Sequence, residues 1–345
     1  MFTGMRALLV RTVLSLPPRW LVSMAGGTPL CVDGRTLDAR VQFLAAQAKR
    51  GAALHTLSVA DARKASADGF RLLDATAVEG VRIADRQIPG PEHGQKLNVR
   101  LYHPPGDEPL PPVLVYYHMG GGVIGDLETC HHFCSLLAAE GGCIVVSVDY
   151  RLAPEHKFPA AIDDAMAAFR WVRDSARSFG GNADKVAVGG DSAGGMLAAV
   201  VAQETKRLNE RMPIAQLLIY PALNWTAEGG SMTAYADSFP LNADMMAWFA
   251  GHFLTHAEER RDLRVSPALE PNLHGLPPAL IFTAGHDPLV DQGRDYAEAL
   301  KMNGVPAMYR CWDSLPHGFT AMSGAVPAAA EANRQIARDL HAVLG

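Results

Sequence analysis

From residue 1 to about 80 the apolar positions recur with helical spacing. Leu37, Val41, Leu44 and Ala45 share one face behind a helix start at Thr36 or Asp38, and Ser58 to Leu73 repeats the pattern. No strand is expected there. At about residue 81 the period changes to two. Val81-Arg82-Ile83 and Leu97-Asn98-Val99-Arg100-Leu101 alternate as half-buried antiparallel strands do, with Pro/Gly-rich connections around Pro89 to Gly94 and Pro104 to Pro112.

Continuous apolar runs come next: Val113 to Tyr117, Cys143 to Val148, Val186 to Val188, Gln216 to Tyr220 and Ala279 to Phe282. Such runs suit strands buried on both faces of a parallel sheet. Helical stretches separate or follow them, at His131 to Ala139, Ala160 to Phe179, Gly194 to Leu208 and Gly293 to Met302. A last strand, Ala307 to Trp312, and a C-terminal helix, Ala328 to Leu344, complete an α/β order with right-handed crossovers. Residues 224 to 264 break the rhythm with Met245, Met246, Trp248 and Phe249 on a helix and no strand. That insertion and residues 1–80 are expected to form a helical module over the carboxyl edge of the sheet, where open α/β sheets bind ligands.

The 345 residues carry 31 Lys+Arg against 36 Asp+Glu, a formal charge of -5, with no run of like charge. A nucleic-acid or polybasic membrane partner therefore has no electrostatic footprint. Five scattered cysteines, an odd number, argue against a disulfide framework and fit a reducing, cytoplasmic compartment. A signal-peptide reading, with Met1 to Arg6 as its basic region and cleavage near Ser23-Met24-Ala25, needs an apolar stretch running through Arg11, Pro17 and Pro18. An amphipathic helix, Ala7 to Leu16, ended by the prolines is preferred, and no apolar run is long enough to span a bilayer.

Gly190-Asp191-Ser192-Ala193-Gly194 fits G-x-S-x-G between a strand and a helix, a turn that lifts a serine oxygen above a sheet. A serine hydroxyl needs a base and an orienting carboxylate, which should follow in the order Ser, Asp/Glu, His. Of the later histidines, His341, His252 and His256 lie in helical segments, His274 in a Pro-rich connection, and His286 beside the carboxylate it would have to meet. His317, in the loop after the last strand, is the expected base. Asp287 comes first after the preceding strand; Asp291, a turn later, stays open as the alternative carboxylate or as a helix-capping group. His118-Met119-Gly120-Gly121-Gly122 follows a buried strand and offers backbone N–H groups to an oxyanion.

Taken in order, His118-Met119-Gly120-Gly121, Tyr150 to Glu155, Phe158-Pro159-Ala160-Ala161, Gly190 to Gly195, Asp287 to Asp291 and His317-Gly318-Phe319 resemble the hormone-sensitive-lipase-like branch of the α/β-hydrolase esterases. The resemblance implies a mostly parallel eight-stranded sheet flanked by helices with a helical cap. It implies a carboxylesterase with the triad Ser192, Asp287 and His317 and an oxyanion hole of Gly120, Gly121 and Ala193. No cofactor is implied. Asp191 before the serine implies short-acyl esters. The domains would be 1–80 (first part of the cap), 81–224 (core), 225–264 (cap insertion) and 265–345 (core). Two positions depart from the family pattern: Met119 replaces a glycine and Gly122 an aromatic. Met119 is expected to project towards the acyl site and narrow it. Met119, Gly122, Met245, Trp248 and Phe249 are the candidate pocket residues.

Cys130-His131-His132-Phe133-Cys134 carries metal-type side chains without further ligands nearby, and reads as a packed helix rather than a metal site. Glu155 reads as a buried ion-pair partner. The triad does not separate an esterase from an amidase or deacetylase, and a non-catalytic receptor of the same fold would have no need of the base. The expected partner is a small-molecule ester; monomer and homodimer are both compatible with the sequence.

Overall fold

Eight of the strands hydrogen-bond into one sheet in the computed structural model, which describes residues 2–106 and 109–345. The Pro104 to Pro112 connection and the Met1 to Arg6 segment thus lie partly outside the described residues. A short ribbon comes first, β1 (Cys31–Val32) and β2 (Arg35–Thr36). The main sheet takes β3 (Arg82–Pro89), β4 (Lys96–His103), β5 (Val113–Tyr117), β6 (Ile144–Asp149), β7 (Val186–Asp191), β8 (Gln216–Ile219), β9 (Ala279–His286) and β10 (Ala307–Pro316). Their order across it is β10-β9-β8-β7-β5-β6-β4-β3. β3 with β4 and β4 with β6 are antiparallel, and all other neighbours are parallel. The ribbon corrects the expectation of no strand before residue 81. Asp33 and Gly34 both take positive φ (51° and 77°), which turns the chain tightly enough to pair two residues on each side.

The helices are α1 (Phe2–Leu14), α2 (Pro18–Met24), α3 (Ala39–Ala48), α4 (Val59–Leu73), α5 (His131–Gly141), α6 (Ala160–Ser175), α7 (Ala193–Arg207), α8 (Ser231–Ala234), α9 (Ala243–Phe253), α10 (Val290–Met302) and α11 (Pro327–Leu344). Side-chain caps set the starts of α3 and α4: Asp38 accepts from the Arg40 N–H and Ser58 from the Asp61 N–H. Along β5 the side chains alternate between two cores. Val113, Val115 and Tyr117 face α6, α7 and α10, while Leu114 and Tyr116 face α5 and α11. Both faces are buried, which is why the strand reads as an unbroken apolar run.

Leu14, Leu37 and Val41 join the α5/α11 core, and the Asp38 N–H donates to Ser314 O at 2.9 Å, so much of the N-terminal segment packs beside the sheet. Above the carboxyl edge, Leu241, Met245 and Leu289 form a small cluster that Leu54 joins from below α9.

One buried ion pair anchors the chain as it leaves β6. Asp164 on α6 is fully buried and accepts from the Arg151 N–H at 2.8 Å and from Arg151 Nη2 at 2.8 Å. Removing the Asp164 charge breaks the short pair and leaves the partly buried Arg151 only the exposed Glu92, 3.5 Å away, as counter-ion. Asp164→Asn is expected to lower stability by about 3 kcal/mol in urea unfolding.

Candidate active site

Ser192 stands at φ 56° and ψ -118°, between the end of β7 and the start of α7. Such a left-handed serine persists only where the surroundings over-determine it. Here the Ser192 N–H donates to Ile219 O at 2.9 Å, and Ser192 O accepts from the Ala222 N–H at 3.1 Å. The turn is closed by backbone contact: a Cβ on Gly194 would lie 1.9 Å from Tyr117 O, and one on Gly190 2.4 Å from Gly194 C. Only glycine fits either place.

The Ser192 hydroxyl is 2.8 Å from His317 Nε2, and His317 Nδ1 is 2.7 Å from Asp287 Oδ2. Asp287 follows β9 and its other oxygen accepts from the Leu289 N–H at 2.9 Å, so the carboxylate is held at both oxygens. Asp291 faces elsewhere. It accepts from the Ser231 N–H at 2.9 Å and pairs with Arg294 at 2.7 Å, tying α8 to α10. His286 is buried against Tyr235, with ring centroids 5.6 Å apart, and burial pushes its pKa down. His341 lies in α11 and His252 against Trp248 in α9, while His274 meets Asn303 O, as their positions in the sequence implied.

The loop after β5 brings Gly121 to the cavity that Ser192 and Ala193 also line, and the N–H groups of Gly120, Gly121 and Ala193 enter no hydrogen bond among the described residues. The rest of the loop is tied down. Tyr150 Oη donates to His118 O at 2.7 Å and its ring stacks on His118 at 4.3 Å. Arg63 of α4 donates through Nε to Val123 O and through Nη2 to Ala153 O, each at 2.9 Å. The same guanidinium pairs with Glu155 at 2.7 Å and holds its carboxyl down at about 2. The Glu155 pair is therefore real but not buried, since its side chain is 55% exposed.

Beneath the serine lies a second buried carboxylate. Asp191 accepts from Tyr220 Oη and Thr320 Oγ1, both at 2.9 Å, and Cys130 Sγ approaches at 3.6 Å. Burial pushes its pKa up. The Tyr220 ring also packs on His317, with centroids 4.7 Å apart. Cys130 and Cys134 are buried free thiols, and among the described residues no group of three or more His, Cys, Asp or Glu could hold a metal ion.

A cavity of about 260 Å³ opens above Ser192, Gly121 and Ala193. Met232, Leu241, Met246, Phe249 and Leu289 make its apolar wall, with Arg260 and Glu228 also on its lining.

Comparison with known proteins matches this architecture. Residues 114–321 fit the model of a family described as having the alpha/beta hydrolase fold. A carboxylic ester hydrolase of Mycobacterium tuberculosis, LipN, is 39% identical over 306 residues, covering 86% of this chain and 80% of that protein. An ethyl acetate hydrolase of Pseudomonas putida is 35% identical over 300 residues, covering 86% and 94%. Among solved structures, an ester hydrolase from the metagenome of Lake Arreo, complexed with a bipyridine phosphonate derivative, superposes with a TM-score of 0.82 at 41% identity, covering 88% of this chain and 96% of that one. The chain belongs to the hormone-sensitive-lipase-like carboxylesterases of the α/β-hydrolase fold. It is a carboxylic ester hydrolase.

Of the five pocket residues expected from the sequence, Phe249 lines the cavity of this carboxylesterase, whereas Met119, Gly122, Met245 and Trp248 do not. Met246 takes the place given to Met245, whose side chain turns into the cluster with Leu241 and Leu289. Met119 is buried under the histidine loop: its Sδ lies 4.0 Å from Tyr220 Oη and 3.7 Å from where a Gly318 Cβ would stand. Met119 thus packs between Tyr220 and the residue that follows His317. Arg63, Tyr220 and Thr320 were not singled out from the sequence. A tyrosine at the end of a buried run was the available signal, because a buried hydroxyl needs a partner. Met119→Gly should leave the acyl-chain-length profile on p-nitrophenyl esters unchanged while lowering unfolding free energy by about 2–5 kcal/mol.

Proposed function

We propose that this carboxylesterase cleaves short- to medium-chain acyl esters by two-step acyl transfer on Ser192. His317 takes the serine proton as the oxygen attacks the ester carbonyl, then returns it to the departing alcohol. Water repeats the sequence on the acyl-enzyme. Asp287 keeps Nδ1 of His317 protonated, so that Nε2 is the basic nitrogen facing the serine. The N–H groups of Gly120, Gly121 and Ala193 receive the negative oxygen of both tetrahedral intermediates. Since none of them is engaged by another acceptor among the described residues, they can bind it without first breaking a hydrogen bond.

The observation that carries this reading is the unbroken chain Asp287, His317, Ser192 at 2.7 Å and 2.8 Å, ending in the cavity that Gly121 and Ala193 also line. The acyl preference rests on volume. About 260 Å³ falls just below the usual range of ligand sites, roughly 300 to 1,000 Å³. Residues 225–264 act as the cap, together with the part of residues 1–80 that reaches α9 through Leu54. No helix among the described residues is long and apolar enough to cross a membrane. A cytoplasmic site of action fits the five free cysteines.

Ser192→Ala is expected to lower kcat on p-nitrophenyl butyrate by about 10⁶-fold, and Asp287→Asn by about 10⁴-fold. Wild-type turnover by the Ser192→Ala protein would refute the assignment.

A further inference from the structure

Three consecutive glycines form the oxyanion loop, at φ 129°, 61° and 71° for Gly120, Gly121 and Gly122. Glycine peptides rotate more freely than any others, so their own side chains cannot hold an N–H in a chosen direction. Something outside them must. On α9, Phe249 and Phe253 are four residues apart and share one helix face. That face rests on the bare backbone of the loop. A Cβ on Gly121 would lie 2.3 Å from Phe249 Cγ, and one on Gly122 would lie 2.6 Å from Phe253 Cδ2.

Phe253 is itself tightly held. It is 1% exposed and packs against Trp225 and Phe158, with ring centroids 5.4 Å and 6.3 Å away. The strand of chain from Ala153 to Phe158 clips the two partners together. At one end the Ala153 N–H donates to Gly122 O at 2.8 Å; at the other the Phe158 N–H donates to Phe253 O at 2.9 Å. Lys157 Nζ adds a bond to Leu254 O at 2.8 Å. The loop is thus gripped between a core segment and a cap helix that are bonded to each other.

We propose that Phe253 is a positioning residue: its ring, seated on Gly122, keeps the Gly121 N–H directed at the oxyanion, so that the cap helix α9 is a working part of the oxyanion hole. The proposal rests on the oxyanion reading given above. Phe253 does not line the cavity, so it acts through the loop and not by touching substrate. Phe249 lines the cavity and rests on Gly121, which would mix the two effects. Phe253 is therefore the residue to vary.

The experiment compares wild type with Phe253→Leu and Phe253→Ala on p-nitrophenyl butyrate, with active sites titrated by an organophosphate so that kcat is counted per competent site. Small misplacement of a catalytic donor costs about 10- to 100-fold, so kcat per site should fall by that factor while KM stays within about twofold. The inhibition constant of a trifluoromethyl ketone, which forms a tetrahedral adduct, should weaken in parallel. Phe169→Leu removes an equally buried ring from α6 and serves as control. It should lower thermal stability without changing kcat per site. Should Phe253→Ala not fold, Phe253→Leu carries the comparison. Unchanged kcat per site in the folded Phe253 variants, or a loss confined to KM, overturns the proposal. A wild-type protein that is neither active nor phosphonylated at Ser192 would instead overturn the underlying esterase reading.

Discussion

Everything in this site depends on the close approach of the first turn of α7 to the last carbonyl of β5. Gly194 leaves no room for a Cβ beside Tyr117 O, and Gly190 packs on the same carbonyl. That contact sets the serine above the sheet and, because His118 follows Tyr117 directly, sets where the oxyanion loop begins. The proposed nucleophile and oxyanion donors therefore share one backbone reference. His317 and Asp287 complete the site from the neighbouring strands β10 and β9, whose parallel register brings their carboxyl ends to the same edge.

Two layers of support differ in kind. Below and beside the loop the ties are hydrogen bonds, from Tyr150 and Arg63, which fix direction as well as distance. Above it the restraint is aromatic packing from α9, which blocks rotation of the bare glycine peptides by contact. Under the serine, Asp191 is a buried carboxylate satisfied by neutral hydroxyls. It organises Tyr220 against the imidazole without supplying a paired cation. A change in any of these supports is one or two residues away from Ser192, His317 or the loop glycines.

The sheet was legible because burial on both faces writes an unmistakable apolar run, and Ser192, Asp287 and His317 were legible as candidates because each follows a strand in a fixed order. Sequence order favoured Asp287 but left Asp291 open as the alternative. They sit one helical turn apart, and the direction of a side chain is decided by its neighbours, here the Ser231 N–H. The β1/β2 ribbon escaped notice since two residues carry no period; only Asp33-Gly34 marked it. The surroundings of Met119, beside Tyr220 and Gly318, were not legible for a related reason. Beside a run of glycines the path of the backbone, and hence where the preceding side chain points, follows from tertiary contacts. Phe253 was invisible as a functional residue because its partner is a glycine, which leaves no complementary side chain to recognise.

The wall of the cavity has a modular origin. Among the described residues, every one lining it apart from Gly121, Ser192, Ala193, Leu289 and Gln292 lies between Ala222 and Arg260, and none lies before Gly121. One contiguous stretch of some forty residues therefore supplies most of the surface a substrate meets, while the reacting groups stay on the sheet. Substrate range in this fold can drift, or be exchanged as a cassette, with little disturbance of the chemistry, within one limit: the incoming segment must still present something to lie on the bare glycines of the loop.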